Sequence, residues 1–410
     1  MRGMPIAVTT STETTAQPAS GHRERMPWLA LAVLASMGFI LLTGETLPAG
    51  LLPAIASGMH TSEGLVGQYI SLWALGTVIV TVPAISLTRA LPRKPLLVIA
   101  VAGFILANTV TAFSANIPLS LVARFIGGAF TGVIWGMLAA YGRRISPPSR
   151  GGLSLSIVSI GAPLGFALGT PAGSYLGTAF DWRWSFIALS AAAVIVLVLI
   201  VTVVPGAPGQ KPEAHLPLRR IIRLPGIPIV LLVIFVWMLG HNTIYTYIAP
   251  FLRAGGSGLA PAFVLLVFGI ASIVGVAITG ALVDRHPRAL LHTSIALFSC
   301  AAIILLVGHA SSGAVIGAAV VWGATFGGAA PQLQSALTIA GGEHSDVANS
   351  FLPVAFNLAI FAAGTSGALL LEAFPPLILA AWMAAFGAIA FALTCEPRRR
   401  RESRSPRTGL

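Results

Sequence analysis

Three ionisable side chains stand inside stretches too apolar to hydrate them. They are Glu45 within TGETLPAGLLP (43–53), Arg124 within ARFIGGA (123–129) and His241 within LGHNTIYTYIAP (239–250). Glu45 is the only carboxylate well inside such a stretch. An ionised acid there is costly, so it must face a protein interior or a wet cavity, and the chemistry it offers is reversible proton binding. The competing role is a buried or permanently protonated structural group. Arg124 is either an arginine that snorkels to an interface or a buried cation that bonds to polar groups and biases the protonation of a nearby acid. His241 can carry a proton near neutral pH or act as a neutral hydrogen-bonding group. Asn242, Tyr245 and Tyr247 add polar and aromatic surface suited to a ring-bearing or hydroxylated ligand. Trp73, Trp135, Gln332, Gln334 and Asn357 are further cavity candidates, with helix packing as the competing role for each.

Enzyme chemistry is not indicated. The chain has no GxxxxGK[ST], HExxH, GxSxG or paired CxxC, and its cysteines, Cys300 and Cys395, are far apart. Neither a cofactor nor a metal is expected, and ATP-driven transport by this chain alone is not either.

The elements that position these residues follow from composition. Hydrophobic residues make up 56% of 410 and charged residues 9%. The mean hydropathy is +0.89, whereas a soluble chain is about a quarter charged. The net charge of +12 is held in short clusters between apolar runs, a pattern of membrane surfaces and not of nucleic-acid binding. A polar stretch of 26 residues precedes the first run, which is of full span length without a clear cleavage site, so no signal peptide is expected. A span needs about 20 apolar residues. Twelve runs qualify: 28–53, 64–88, 95–115, 118–141, 151–178, 184–205, 228–252, 260–283, 289–309, 313–338, 346–372 and 375–394. The expected fold is an all-α membrane protein of twelve transmembrane helices in two pseudo-symmetric six-helix bundles. The N-terminal tail is 1–27, the bundles 28–205 and 228–396, the linker 206–227, and the basic tail 397–410. Pro48, Pro53, Pro83, Pro163, Pro171, Pro331 and Pro353 mark kinks or helix ends.

Lysine and arginine set the orientation. With an even number of spans both termini share one side. That side collects Arg2, Arg23, Arg25, Arg89, Arg93, Lys94, Arg143, Arg144, Arg150, Lys211, Arg219, Arg220, Arg223, Arg285, Arg288 and the tail arginines; the other has Arg183 and Arg253. The positive-inside rule places both termini in the cytoplasm, against an anionic inner leaflet. Within the linker, LRRIIR (218–223) is either a short amphipathic helix on that leaflet or a basic connector.

The halves resemble each other. ARFIGGA (123–129) matches GATFGGA (323–329), GTPAG (169–173) matches GTSG (364–367), and ALPR (90–93) matches RHPR (285–288), all in order at offsets near 195–200 residues. Duplicated units of this kind characterise secondary transporters, whose site lies between the repeats at mid-membrane. By that offset His241 and Asn242 fall near the counterparts of Gly44 and Glu45. The fifth run carries Gly161, Gly165, Gly169, Gly173 and Gly177 at every fourth position, a flat face on which another helix can pack closely. With Pro163 and Pro171 that face could also slide or bend.

These motifs resemble those of the major facilitator superfamily, and within it the twelve-span drug:proton antiporter branch, over residues 28–396. ARFIGG (123–128) is similar to that branch's fourth-span motif, with Arg124 as its arginine. GAPLGFALGTPAGSYLG (161–177) resembles the fifth-span antiporter motif, with Thr170-Pro171 where Gly-Pro is usual. GALVDRHPR (280–288) resembles the Gly-x-x-x-Asp-Arg loop motif, through Gly280, Asp284 and Arg285. The first-half copy, AISLTRALPRK (84–94), has Ala84 for the glycine and Thr88 for the aspartate, but keeps Arg89, Arg93 and Lys94. ETLPAGLLPAIA (45–56) and DWRWSF (181–186) look like the sugar-efflux, chloramphenicol-resistance and purine-nucleoside-efflux members.

The resemblance implies a proton-driven exporter of a small organic solute. Glu45 would bind the proton with Arg124 biasing it. His241, Asn242, Tyr245, Tyr247 and Asn357 would shape the cavity, and Arg89, Asp284 and Arg285 would latch the cytoplasmic gate. Such a unit can work as a monomer. An uncoupled facilitator with a structural Glu45 is the first rival. A receptor or scaffold is the second, and it would require a sizeable soluble domain.

Overall fold

The computed structural model describes residues 26–88, 90–209 and 222–395. Arg89, most of the linker with the start of LRRIIR, and the charged tails lie outside these residues. Among the described residues, twelve helices are long and apolar enough to cross a membrane. The first six are α1 (Trp28–Gly58), α2 (Glu63–Leu87), α3 (Arg93–Phe113), α4 (Ile117–Arg144), α5 (Pro148–Ala179) and α6 (Trp182–Val203). The second six are α7 (Ile227–Thr246), α8 (Pro261–Leu282), α9 (Pro287–Gly308), α10 (Ser312–His344), α11 (Val347–Ala373) and α12 (Ile378–Cys395).

Helices dominate because a backbone inside a bilayer must satisfy its own hydrogen bonds. Large apolar side chains such as Ile99, Leu106, Ile195, Val198, Ile303 and Val307 stay exposed on the outside of the bundle. In water that would be a liability, whereas a multi-pass membrane protein presents such a surface to lipid. We call the side where α1 starts and α12 ends the terminal face and the opposite side the distal face. Of the helices that start at the distal face, α2, α4 and α6 carry polar caps. Ser62 Oγ accepts from Leu65 N at 3.2 Å, Asn116 Oδ1 from Leu119 N at 3.0 Å, and Asp181 Oδ1 from Arg183 N at 2.8 Å.

Proline explains where the helices depart from the continuous runs expected from sequence. Pro250 cannot donate to the carbonyl of Thr246, and there α7 stops; the chain resumes as a short helix, Ile248–Gly255. Pro331 likewise leaves the Gly327 carbonyl without its donor, and α10 breaks at Gly328, between Ser312–Gly327 and Ala329–Gly341. The runs 228–252 and 313–338 are therefore each two helices. Pro353 sits at the start of Leu352–Ala373, a helix terminus and not a kink. In α5, Pro171 follows a widened π turn, Gly165–Gly169, which contains the carbonyl its ring would strike. Pro48 and Pro53 lie inside the unbroken α1.

Tight helix pairs repeat between the halves. A Cβ on Gly76 would strike the Phe125 carbonyl, and one on Gly128 the Trp73 carbonyl. In the second half Gly275 stands in the same relation to Ala324, and Gly327 to Ser272. Each residue lies 199 positions after its counterpart: Gly76 to Gly275, Phe125 to Ala324, Gly128 to Gly327, Trp73 to Ser272. At that offset Glu45 pairs with Ile244 and Arg124 with Gly323, so the second half repeats neither charge.

The buried apolar residues form two clusters that do not divide at the linker. One contains the terminal-side interior of the first half, including Leu34, Val101, Ile134 and Tyr141. The other joins the whole interior of the second half to the distal part of the first, including Leu51, Ile55, Tyr69 and Trp182. The halves thus share one core toward the distal face and have separate cores toward the terminal face.

Candidate functional site

Glu45 lies past the middle of α1 and is 9% exposed; Arg124 on α4 is 1% exposed. Arg124 donates from Nε to the Tyr69 carbonyl at 3.2 Å and from Nη2 to the Glu45 main-chain carbonyl at 3.4 Å. Its guanidinium covers the Trp73 ring at 4.0 Å, with Phe186 at 6.0 Å. Arginine suits this place because its weakly hydrated planar cation can stack and bond at once. The structure therefore brings the acid and the cation together through a carbonyl and not through the carboxylate, and the described residues contain no ion pair between them. Arg124 Nη1 has no hydrogen-bond partner among those residues.

The glycine face of α5 sets the position of α1 and hence of Glu45. Cβ atoms on Gly161, Gly165, Gly169 and Gly173 would meet Ala35 and Phe39, Phe39 and Leu42, Thr43, and Leu47 in turn. Gly177 lies against Leu51, Ser185 and Trp182. Beside Glu45, Thr46 bonds to Thr170, the residue that precedes Pro171, and Ser174 Oγ donates to the Gly50 carbonyl at 2.9 Å.

Across the boundary stands a group of rings. His241 is fully buried, and its Nδ1 accepts from Trp322 Nε1 at 2.8 Å. An indole N–H only donates, so Nδ1 carries no proton, and a neutral ring carries its proton on Nε2. His241 stacks on Phe326 with centroids 3.7 Å apart, and Tyr245, Phe268 and Trp322 surround it at 5.5–5.7 Å. The Tyr245 hydroxyl is set beside Thr170, Thr46 and Glu45.

Several expected residues stand elsewhere. The Tyr247 hydroxyl donates to the Gly364 carbonyl at 2.7 Å and reaches the Gly64 carbonyl of the first half at 3.3 Å, so it joins the halves. The Asn242 and Asn357 amides turn back onto their own helices, at 2.8 Å to the Met238 carbonyl and 3.0 Å to the Pro353 carbonyl. Gln332 donates to Thr279 and Ser294 within the second half, at 3.0 Å each, and Gln334 is exposed. Trp135 covers Gly38. Asp284 and Arg285 are exposed on the terminal face and form no ion pair among the described residues.

The distal face has a closed seam that sequence reasoning missed. Arg253 bonds Glu63 at 2.8 Å, and Gln68 Nε2 donates to the Gly364 carbonyl at 3.2 Å, both between the halves. One signal was available: Arg253 is one of only two basic residues on this side, and Glu63 is an acid on the same side.

Comparison with known proteins places this geometry. The family model of the Major Facilitator Superfamily matches residues 34–364. Two chloramphenicol efflux pumps of Mycobacterium tuberculosis, from strains CDC 1551 / Oshkosh and ATCC 25618 / H37Rv, are each 29% identical over 396 residues, covering 93% of this chain and 96% of the relative. Among solved structures, the nucleoside transporter NupG, as a mutant, superposes with a TM-score of 0.75 at 14% identity, covering 90% of this chain and 100% of that one. The peptide transporter POT, in complex with alafosfalin, gives 0.71 at 14% identity, covering 89% and 92%. At such identities these structures speak for the fold alone.

Proposed function

We propose, from the premise that the chain belongs to the Major Facilitator Superfamily, that this transporter is a proton-driven exporter of a small organic solute. It is a transporter and not an enzyme. The exchange with protons, the solute class and the direction are our reading.

The observation that carries this reading is the contact between Arg124 and the Glu45 carbonyl inside the membrane. It holds a cation against the one deeply placed acid without neutralising the carboxylate by an ion pair. The carboxylate is left able to exchange a proton as the halves rock. Burial makes its protonation state sensitive to which face is open, and a ligand moves such an equilibrium only through different affinities for the two states.

The rest of the cycle follows from the asymmetry of the two faces. The seam is closed on the distal side, through Glu63–Arg253, Gln68–Gly364 and Tyr247–Gly64. The apolar cores are separate on the terminal side. The basic residues of the terminal side support its assignment to the cytoplasm, so this is a state that loads from inside. Opening outward would break the distal seam and bring Asp284 and Arg285 into a terminal latch. Arg89, part of the same latch, lies outside the described residues. The halves 28–205 and 228–396 would move as units, and one chain is sufficient. Relatives named as chloramphenicol efflux pumps support a phenicol-like solute, and the membrane of our reading is the inner one.

Inverted membrane vesicles test this. They are energised to acidify the interior, then given phenicols, nucleosides, sugars or lipophilic cations. Proton release on addition of one class by the wild type, and none by Glu45→Gln, is the expected result. Uptake without proton release, equal in the variant, would replace the exchanger with an uncoupled facilitator.

A further inference from the structure

The ring cluster around His241 belongs to the second half except for one member. Phe166, from the π turn of α5, meets Tyr245 at 5.7 Å, Phe326 at 5.3 Å and Phe268 at 6.2 Å, edge to face in each case. Its approach depends on Gly269, where a Cβ would strike the backbone at Phe166 and Ala167. Phe166 and Phe326 are only partly buried, while His241, Tyr245, Phe268 and Trp322 are at most 2% exposed. The cluster is therefore reached past Phe166 and Phe326. Behind them waits a buried polar atom with no partner among the described residues, His241 Nε2. With Nδ1 held by Trp322, His241 Nε2 is a donor.

We propose that the Phe166 ring holds the place that the aromatic ring of the exported solute takes, and that the solute displaces it. The solute is then a neutral aryl compound with a hydrogen-bond acceptor, such as a nitro or carbonyl oxygen, for the His241 Nε2 proton. A buried donor left unpaired is unfavourable, so a cargo that supplies the acceptor binds better than one that does not. Edge-to-face contacts of the cargo ring replace those of Phe166. Because Phe166 belongs to the first half and the other rings to the second, its displacement also removes a contact that joins the halves.

This deepens the transporter reading and rests on it for the word cargo, but binding can be measured without transport. Wild-type protein in nanodiscs, with no gradient, is titrated by calorimetry with 4-nitrobenzyl alcohol, benzyl alcohol, benzyltrimethylammonium and arabinose. Nitrobenzyl alcohol should bind about tenfold tighter than the other three. Phe166→Ala, which removes the resident ring, should tighten nitrobenzyl alcohol by about threefold and leave arabinose unchanged. Phe166→Leu nearly preserves volume and should move in the same direction. His241→Phe keeps a ring without a donor and should abolish the preference for the nitro compound over benzyl alcohol. Arabinose or the ammonium binding as well as the nitro compound would overturn the proposal. So would weaker aryl binding in both Phe166 variants, or an unchanged nitro preference in His241→Phe. If this binding pattern holds while cells show no efflux, the exporter reading fails and the subsite stands; efflux without the pattern removes the subsite alone.

Discussion

Arg253 donates from Nη2 to Glu63 Oε1 at 2.8 Å, and this bond ties the second half to the first on the distal face. The arginine side chain is 59% exposed and the glutamate 21%. A pair so open to solvent contributes about 0.2–1 kcal/mol. That is enough to shift a two-state population by up to about fivefold and not enough to lock it. Glu63→Gln or Arg253→Gln should therefore raise the fraction open at the distal face without unfolding the chain. Spin-label distances across that face read the shift. The charge-swapped double variant E63R/R253E should return the distribution toward wild type.

Arg124 is held by two carbonyls and an aromatic face, so lysine cannot replace it. Arg124→Lys should lower stability by on the order of 1–3 kcal/mol, because the Tyr69 and Glu45 carbonyls lose charge-assisted donors in a dry site. Glu45→Gln leaves the carbonyl in place and should keep both the fold and the melting temperature. Thermal unfolding in detergent separates the two. A large loss of stability in Glu45→Gln would show that the carboxylate itself holds the structure together.

The α5 stripe gives a graded test of packing. A methyl group at Gly161 would run into the α1 backbone at Ala35 and Phe39, whereas one at Gly317 meets nothing within 4 Å. Gly161→Ala should cost about 1–3 kcal/mol. Gly317→Ala, on a helix with open space around it, should be neutral or slightly stabilising. Chemical denaturation of the two variants side by side reads the difference.

On the terminal face, Gly280 also has open space around it, and Asp284, one turn on, is unpaired among the described residues. Gly280→Val and Asp284→Asn should each change stability by less than about 0.5 kcal/mol in this state. If the terminal face closes over them during the cycle, both should nevertheless slow transport severalfold. Vesicle flux at wild-type speed in both variants would remove this face from the gate.

Much of the architecture was legible because the bilayer acts locally. A span must be about 20 apolar residues long, and each run announces itself without reference to any other. The α5 stripe was equally plain, since a four-residue repeat of glycine makes a flat face whatever packs on it. The breaks in α7 and α10 were less plain. Pro250 and Pro331 were visible, but a proline in a long apolar run can be absorbed, as Pro48 and Pro53 are in α1. What separates these cases is whether the freed carbonyl's surroundings hold the helix together, and that is a matter of packing.

The sequence by itself determined the solvent this protein lives in, its twelve spans, its repeat and the rarity of its buried charges. All of these depend on the order of residues along the chain and on the cost of taking charge out of water. Only the tertiary structure decided that Arg124 reaches the Glu45 carbonyl and not its carboxylate. The same holds for Tyr247 reaching the Gly64 carbonyl across the distal seam and for Phe166 entering the rings of the other half. These partners lie 79, 183 and 160 positions apart. A shift of one residue in how two helices pack would assign each a different neighbour, so their pairing follows from the fit of whole helix faces and not from any local pattern.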